Sequence, residues 1–157
     1  MNGHAIREAA RAIAALEHDG ICRKGAGEPY FNHVERVAAN VWGWRRKALA
    51  YLHDVIEDSS GSNGRKQMED TLRRIFYSDG RLVTDLLALT HGEYETYDAY
   101  IDKLIAWGVL DCLYVKLADL EDNLADLSDI PGMQHKQKTY LKAKARIELA
   151  IAEKESA

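Results

Sequence analysis

The sequence predicts an all-α fold. Three observations carry that expectation: Ala and Leu lead the apolar residues, prolines occur only at positions 29 and 131, and no stretch shows the two-residue alternation of a half-buried strand. A chain of 157 residues is long enough for one well-filled core and short for two, so a compact single domain over residues 1–157 is expected, a bundle of about seven or eight helices.

The first helix is expected over residues 3–18, ending near Gly20 and leading into the loop Arg23-Lys24-Gly25-Ala26-Gly27-Glu28-Pro29. A second starts around Asn32, a good N-cap, and runs through Val34, Val37, Ala38 and Val41. Gly43 separates it from a third over residues 44–58. Ser59-Ser60-Gly61-Ser62-Asn63-Gly64 is the plainest loop and the expected mobile segment, because Gly and Ser bring little burial to offset ordering entropy. Two short helices over 67–77 and 81–90, broken at Gly80, precede one over 98–107 that Gly108 closes. Over 109–127, Leu110, Leu113, Leu117, Leu120, Leu124 and Leu127 recur every three or four residues and predict one continuous buried stripe. Beside it, about 100° around the helix, run Lys116, Asp119, Asn123 and Asp126, so this helix borders both core and cleft. After Pro131-Gly132 a last helix over 136–153 carries Lys136, Lys138, Lys142, Lys144 and Arg146, read as a solvated basic face. Trp42, Trp44 and Trp107 are expected in the core ahead of an interface.

Apolar residues at 46% and charged residues at 29% exclude disordered and membrane-spanning classes. With 21 basic and 25 acidic residues the net charge is -4, so no global positive field attracts nucleic-acid polymers or anionic lipid. That charge is unevenly spread: residues 1–47 hold 8 basic and 5 acidic residues, leaving the remainder at net -7. Two cysteines, Cys22 and Cys112, are too few for a secreted disulfide framework, and Arg7, Glu8 and Arg11 interrupt any signal-like apolar run, so a cytoplasmic location is expected.

The dipeptide His-Asp occurs twice. His18-Asp19 precedes Gly20 at a helix end and reads as structural. His53-Asp54 sits inside Ala48-Leu49-Ala50-Tyr51-Leu52-His53-Asp54-Val55-Ile56, an apolar setting in which ionisable groups need a partner, and a bound cation is one such partner. Glu57 lies four residues after His53 and Asp58 four after Asp54, which on one helix places two ionisable pairs on adjacent lines. Adding His33 and Asp119 gives two His and two Asp without thiolate, a donor set that suits Mn or Fe(II) better than structural zinc. Taken singly, His33 also reads as a helix-start histidine and Asp119 as part of a solvated face.

Four segments stand in the order and local contexts of the HD-domain metal-dependent phosphohydrolases: His18-Asp19-Gly20 with Arg23-Lys24; Gly27-Glu28-Pro29-Tyr30-Phe31-Asn32-His33; Leu52-His53-Asp54-Val55-Ile56-Glu57-Asp58; and Val115-Lys116-Leu117-Ala118-Asp119, continuing to Asn123. More narrowly, the chain resembles the hydrolase domain of the RelA/SpoT alarmone enzymes and the single-domain small alarmone hydrolases. The resemblance implies an HD-type helical bundle and a (p)ppGpp 3'-pyrophosphohydrolase. It assigns His33, His53, Asp54 and Asp119 to one divalent ion, commonly Mn2+, with Fe2+, Co2+, Ni2+ or Zn2+ as alternatives. Glu57 and Asp58 then match the catalytic pair, while Arg23, Lys24 and Asn123 match the nucleotide pocket. The implied partner is a small phosphorylated nucleotide, with no nucleic-acid polymer and no membrane, and a homo-oligomer fits as well as a monomer. Where the larger alarmone enzymes have Ala-Asp-Arg-Leu, this chain has Ala118-Asp119-Leu120-Glu121, and Asp126 replaces a hydroxyl residue. A missing arginine and an added carboxylate make the pocket less hospitable to a polyanion. A nucleotidase, an NADPH 2'-phosphatase or a non-catalytic nucleotide-sensing HD domain are the alternative readings.

Overall fold

A computed structural model describes residues 1–24, 27–60, 63–127 and 130–157. Among these the chain forms eight helices of nine residues or more, one single-turn helix, one 3-10 turn and no strand, as the composition predicts. Gly25 and Ala26 of the first expected loop, and Gly61 and Ser62 of the loop expected to be mobile, lie outside the described residues.

Helix α1 (Gly3–Glu17) starts at Asn2, whose side chain accepts from the Ala5 N–H, and buries Ile6, Ala10 and Ala14. These apolar residues, four apart and two of them alanine, let α1 lie along α3 (Trp44–Leu52), in which every residue from Ala48 to Leu52 is buried. Gly3 makes that approach feasible, since a Cβ there would sit 2.6 Å from the Trp44 ring.

Helix α2 (Tyr30–Ala39) begins two residues before the expected Asn32. Segments 21–23 and 28–30 pair through Arg23 N–H to Glu28 O (2.8 Å) and Tyr30 N–H to Ile21 O (2.8 Å), and Pro29, with φ of -54°, is already set for a helix start. Asn32 consequently lies inside the first turn, its amide donating to Glu28.

The third expected helix is in fact two. After α3 the chain turns at His53 and Asp54 (φ -103°, ψ -8°) into the single turn α4 (Val55–Asp58). The break has a side-chain cause: the His53 ring pairs through Nδ1 with the Ala50 carbonyl at 2.6 Å, an acceptor that a continuous helix would give to the Asp54 N–H.

Next come α5 (Gly64–Ile75), a 3-10 turn (Tyr77–Asp79) and α6 (Gly80–Leu89). The break falls at buried Phe76 and not at Gly80, which is the first residue of α6 because Asp79 caps that helix through the Leu82 N–H. Helix α7 (Tyr97–Trp107) ends, as expected, at left-handed Gly108 (φ 69°). Helices α8 (Leu110–Leu127) and α9 (Gln134–Glu155) pack along each other. The leucine stripe of α8 is only partly a core stripe: Leu113 and Leu120 are wholly buried, while Leu117 between them and Leu110, Leu124 and Leu127 toward the ends are partly exposed.

The tryptophans are not core residues. Trp42 is 86% exposed, Trp44 covers Gly3 from the surface, and Trp107 donates its indole N–H to Asp85 at 3.0 Å. Asp85 is wholly buried, and Arg45 reaches it at 2.8 Å. Replacing Arg45 by Met should cost about 3–5 kcal/mol, because it strands a buried carboxylate; urea unfolding followed by circular dichroism measures the loss.

Candidate functional site

Helices α2, α3 and α8 meet with polar side chains turned inward. His33 comes from α2, His53 and Asp54 from the α3–α4 break, and Asp119 from α8, so the four residues predicted as ligands do converge. His33 Nε2 lies 3.3 Å and His53 Nε2 3.5 Å from Asp119 Oδ1, while Asp54 Oδ2 stands 3.0 Å from His53 Nε2 and 3.8 Å from His33 Nε2. Ligand atoms of His33, His53 and Asp119 all fall within 4.8 Å of one another.

The far side of each ring fixes its chemistry. His33 Nδ1 is 2.6 Å from Asp122 Oδ2 and His53 Nδ1 is 2.6 Å from the Ala50 carbonyl, so a neutral imidazole at either position carries its proton on Nδ1 and turns the Nε2 lone pair toward the two carboxylates. His53 Nε2 is buried with no hydrogen-bond partner. Four acceptors facing inward require a positive charge between them, and two imidazoles with two carboxylates fit a borderline-to-hard divalent cation such as Mn2+. Electrostatics agree. Burial lowers the His53 pKa, but Asp54 and Asp119 reverse this and leave it well above its ordinary value. Against the upward push of burial, His53 holds Asp54 below the carboxylate range, and Lys116 with the two imidazoles does the same for Asp119. Each carboxylate is also tethered: Tyr30 O–H donates to Asp54 Oδ2, and Lys116 and Asn123 donate to the two oxygens of Asp119 at 2.7 and 2.6 Å.

In front of the cluster opens a cleft of about 810 Å³, within the range of small-ligand sites. Glu57 and Asp58 both line it. Because the chain turns at His53 and Asp54, they are not on one helix with those residues as the spacing suggested; they stand on α4 instead. Burial and the nearby Asp54 raise the Glu57 pKa, and its Oε2 accepts the His91 N–H at 3.0 Å. Burial, Asp54 and Glu57 together push Asp58 up to about 7.

Lys24 and Arg23 also line the cleft, but differently from expectation for the arginine. Arg23 is buried and its guanidinium is ringed by protein acceptors: Nε by Asp126 at 2.5 Å, Nη1 by Asp122 at 3.3 Å and Nη2 by Asn123 at 3.0 Å. Asp126 therefore neutralises the arginine that the pocket was expected to offer. Asn123 is brought into place and links Arg23 to Asp119.

Several site residues escaped the sequence reading. Asp122 binds His33 and receives two bonds from Arg36, which also grips Glu28. Its one sequence signal is a spacing of three residues from Asp119 on α8. The start of α9, dismissed as a solvated basic face, supplies His135, Lys136 and Tyr140 to the cleft, where Tyr140 and Tyr97 stand 5.5 Å apart. His18, read as a helix-end residue, is buried beside Asp58.

His53→Ala should abolish stoichiometric Mn2+ binding, read by electron paramagnetic resonance, while far-UV dichroism stays helical. Asp122→Ala should weaken Mn2+ about 10–100-fold, because it removes the carboxylate that orients His33.

No family model matches the chain, and no curated protein matches it. Among solved structures, that of a metazoan ortholog of SpoT, which hydrolyzes ppGpp and plays a role in starvation responses, superposes with a TM-score of 0.68 at 22% identity, over 95% of this chain and 93% of that one. The two chains share one all-α fold along nearly their whole lengths.

Proposed function

We propose that the protein is a divalent-metal-dependent phosphohydrolase of a small phosphorylated nucleotide, with the 3'-pyrophosphate of (p)ppGpp as the first substrate to test. The observation that carries this reading is the facing set of His33, His53, Asp54 and Asp119, of which His53, Asp54 and Asp119 line a cleft together with Glu57 and Asp58. The four matching sequence segments support it, as does the shared fold with a protein that hydrolyzes ppGpp. Exposed Cys22 and buried Cys112 are both free thiols, in keeping with a cytoplasmic location, and no helix among the described residues is long and apolar enough to cross a membrane.

His33, His53, Asp54 and Asp119 would hold the ion, which when bound supplies Lewis-acid polarisation of a phosphoryl oxygen and a lowered pKa for water. The residues around it do the rest. Asp58, whose carboxyl burial pushes up from the ordinary range, can take a proton and return it, which suits a group that accepts from attacking water and delivers to the departing oxygen. Glu57, fixed by the His91 N–H, orients the same water. As neighbouring acids they titrate as a pair. Lys24 and Lys136, which both line the cleft, meet the remaining phosphate charge, and the Tyr97 and Tyr140 rings offer faces to a base or ribose.

One observation favours a second substrate class. Because Asp126 and Asp122 occupy Arg23, the cleft offers less positive charge than a free arginine would supply, which favours a monoester such as a nucleotide or a 2'-phosphorylated dinucleotide. Product analysis with Mn2+-loaded protein separates them: pyrophosphate from ppGpp supports the first, orthophosphate from a monoester the second, and no product across a nucleotide panel removes the enzyme reading. A chelator should abolish turnover reversibly. Glu57→Gln with Asp58→Asn should lower kcat by about 10²–10⁴-fold and leave Mn2+ affinity unchanged.

A further inference from the structure

His18 closes α1, its N–H bonded to the Ala14 carbonyl at 3.0 Å, and the ring points inward, not to solvent. The side chain is 0% exposed, its ring lies 4.8 Å from that of Tyr30, and neither ring nitrogen has a hydrogen-bond partner. Leucine would fill this space without the desolvation penalty of two unpaired polar atoms. An acceptor stands just out of range: Asp58 Oδ2, 3.8 Å from His18 Nδ1.

The backbones on either side of this gap are held together. Ser59 Oγ lies 2.9 Å from Glu17 Oε1 and 2.7 Å from the Val55 carbonyl, joining the residue before His18 to the residue after Asp58. Closing the gap to an ordinary N–H···O distance of about 2.9 Å therefore asks only for a turn of the Asp58 side chain, which is 37% exposed and free to make it. Burial lowers the His18 pKa, so the ring is neutral and donates from one nitrogen only.

We propose that His18 is a positioning residue for Asp58: its Nδ1–H donates to Asp58 Oδ2 and directs the other carboxylate oxygen into the cleft, toward the ligand cluster. This rests on Asp58 being the proton-handling acid of the proposed phosphohydrolase. His18 touches neither substrate nor ion; it acts through the orientation of Asp58.

Two readouts test it. In steady-state hydrolysis, His18→Leu should lower kcat about tenfold or more, a part of what a well-placed proton-transfer group contributes, with KM and Mn2+ affinity held within about twofold. His18→Asn, whose amide nitrogen stands near the Nδ1 position, should recover most of the loss, and His18→Leu should add nothing in an Asp58→Asn background. The same loss in that background, an equal loss with Asn, or a parallel loss of Mn2+ binding overturns the assignment. The second readout needs no turnover: in 15N-labelled protein, Asp58→Asn should shift the His18 Nδ1 resonance, and an unchanged resonance overturns the assignment even where His18→Leu fails to fold. An inactive wild-type protein that still shows the shift would overturn the hydrolase reading and leave the His18–Asp58 bond standing.

Discussion

Two imidazole nitrogens and two carboxylate oxygens that face one another across three to four ångströms repel unless something positive stands between them, and much of this molecule is arranged to keep them there. The anchors are unusually direct. Asp122 and a backbone carbonyl hold the two rings from behind, while Tyr30, Lys116 and Asn123 hold the two carboxylates from the side. Since α2, α3 and α8 each contribute one wall, the helices must pack closely, and small or slender residues at Ala38, Ala48, Ala50, Val115 and Ala118 permit it. The apolar core and the polar centre are thus two sides of the same helices.

How much of this was legible depended on whether the controlling interaction was local in sequence. Helices α7 and α8 declare themselves through Gly108 and through the leucine periodicity, signals that involve only their own turns. The α3–α4 break does not. It arises because the His53 ring competes for the Ala50 carbonyl, and a run from Ala48 to Ile56 that is apolar but for His53 and Asp54 carries no sign of that competition. His53 and Asp54 stood out because histidine and aspartate in an apolar run demand a partner, whereas His33 and Asp119 read singly as ordinary residues and entered only through the family resemblance. Asp122 was missed because an acid on a helix face reads as solvated until the helix facing it is known, and the partners that bury it, His33 and Arg36, lie almost ninety residues earlier. The tryptophans failed for the opposite reason: large apolar surface suggests burial, but Trp42 and Trp44 flank the turn between α2 and α3, at the edge of the bundle.

Charge tells a similar story. The basic surplus of residues 1–47 and the acidic surplus beyond do meet, as their separation along the chain suggests, yet the meeting is consumed largely within the protein: Arg23 and Arg36 are spent on Glu28, Asp122 and Asp126. What remains for a ligand is smaller and sits elsewhere, on Lys24 and on the first turn of α9. A count of charges by segment gave the right neighbours and the wrong availability.

Helix α8 carries Asp119 at the ligand cluster and, seven residues on, Asp126 at the other end of the same cleft wall. At 1.5 Å rise per residue the two stand about 10 Å apart along a rigid axis. The helix is therefore a yardstick. Under the proposed function, a molecule that reaches from one end of this wall to the other must span that distance, and the tolerance is that of a packed helix, not of a loop. Length joins charge and shape as a criterion by which this cleft sorts what enters it.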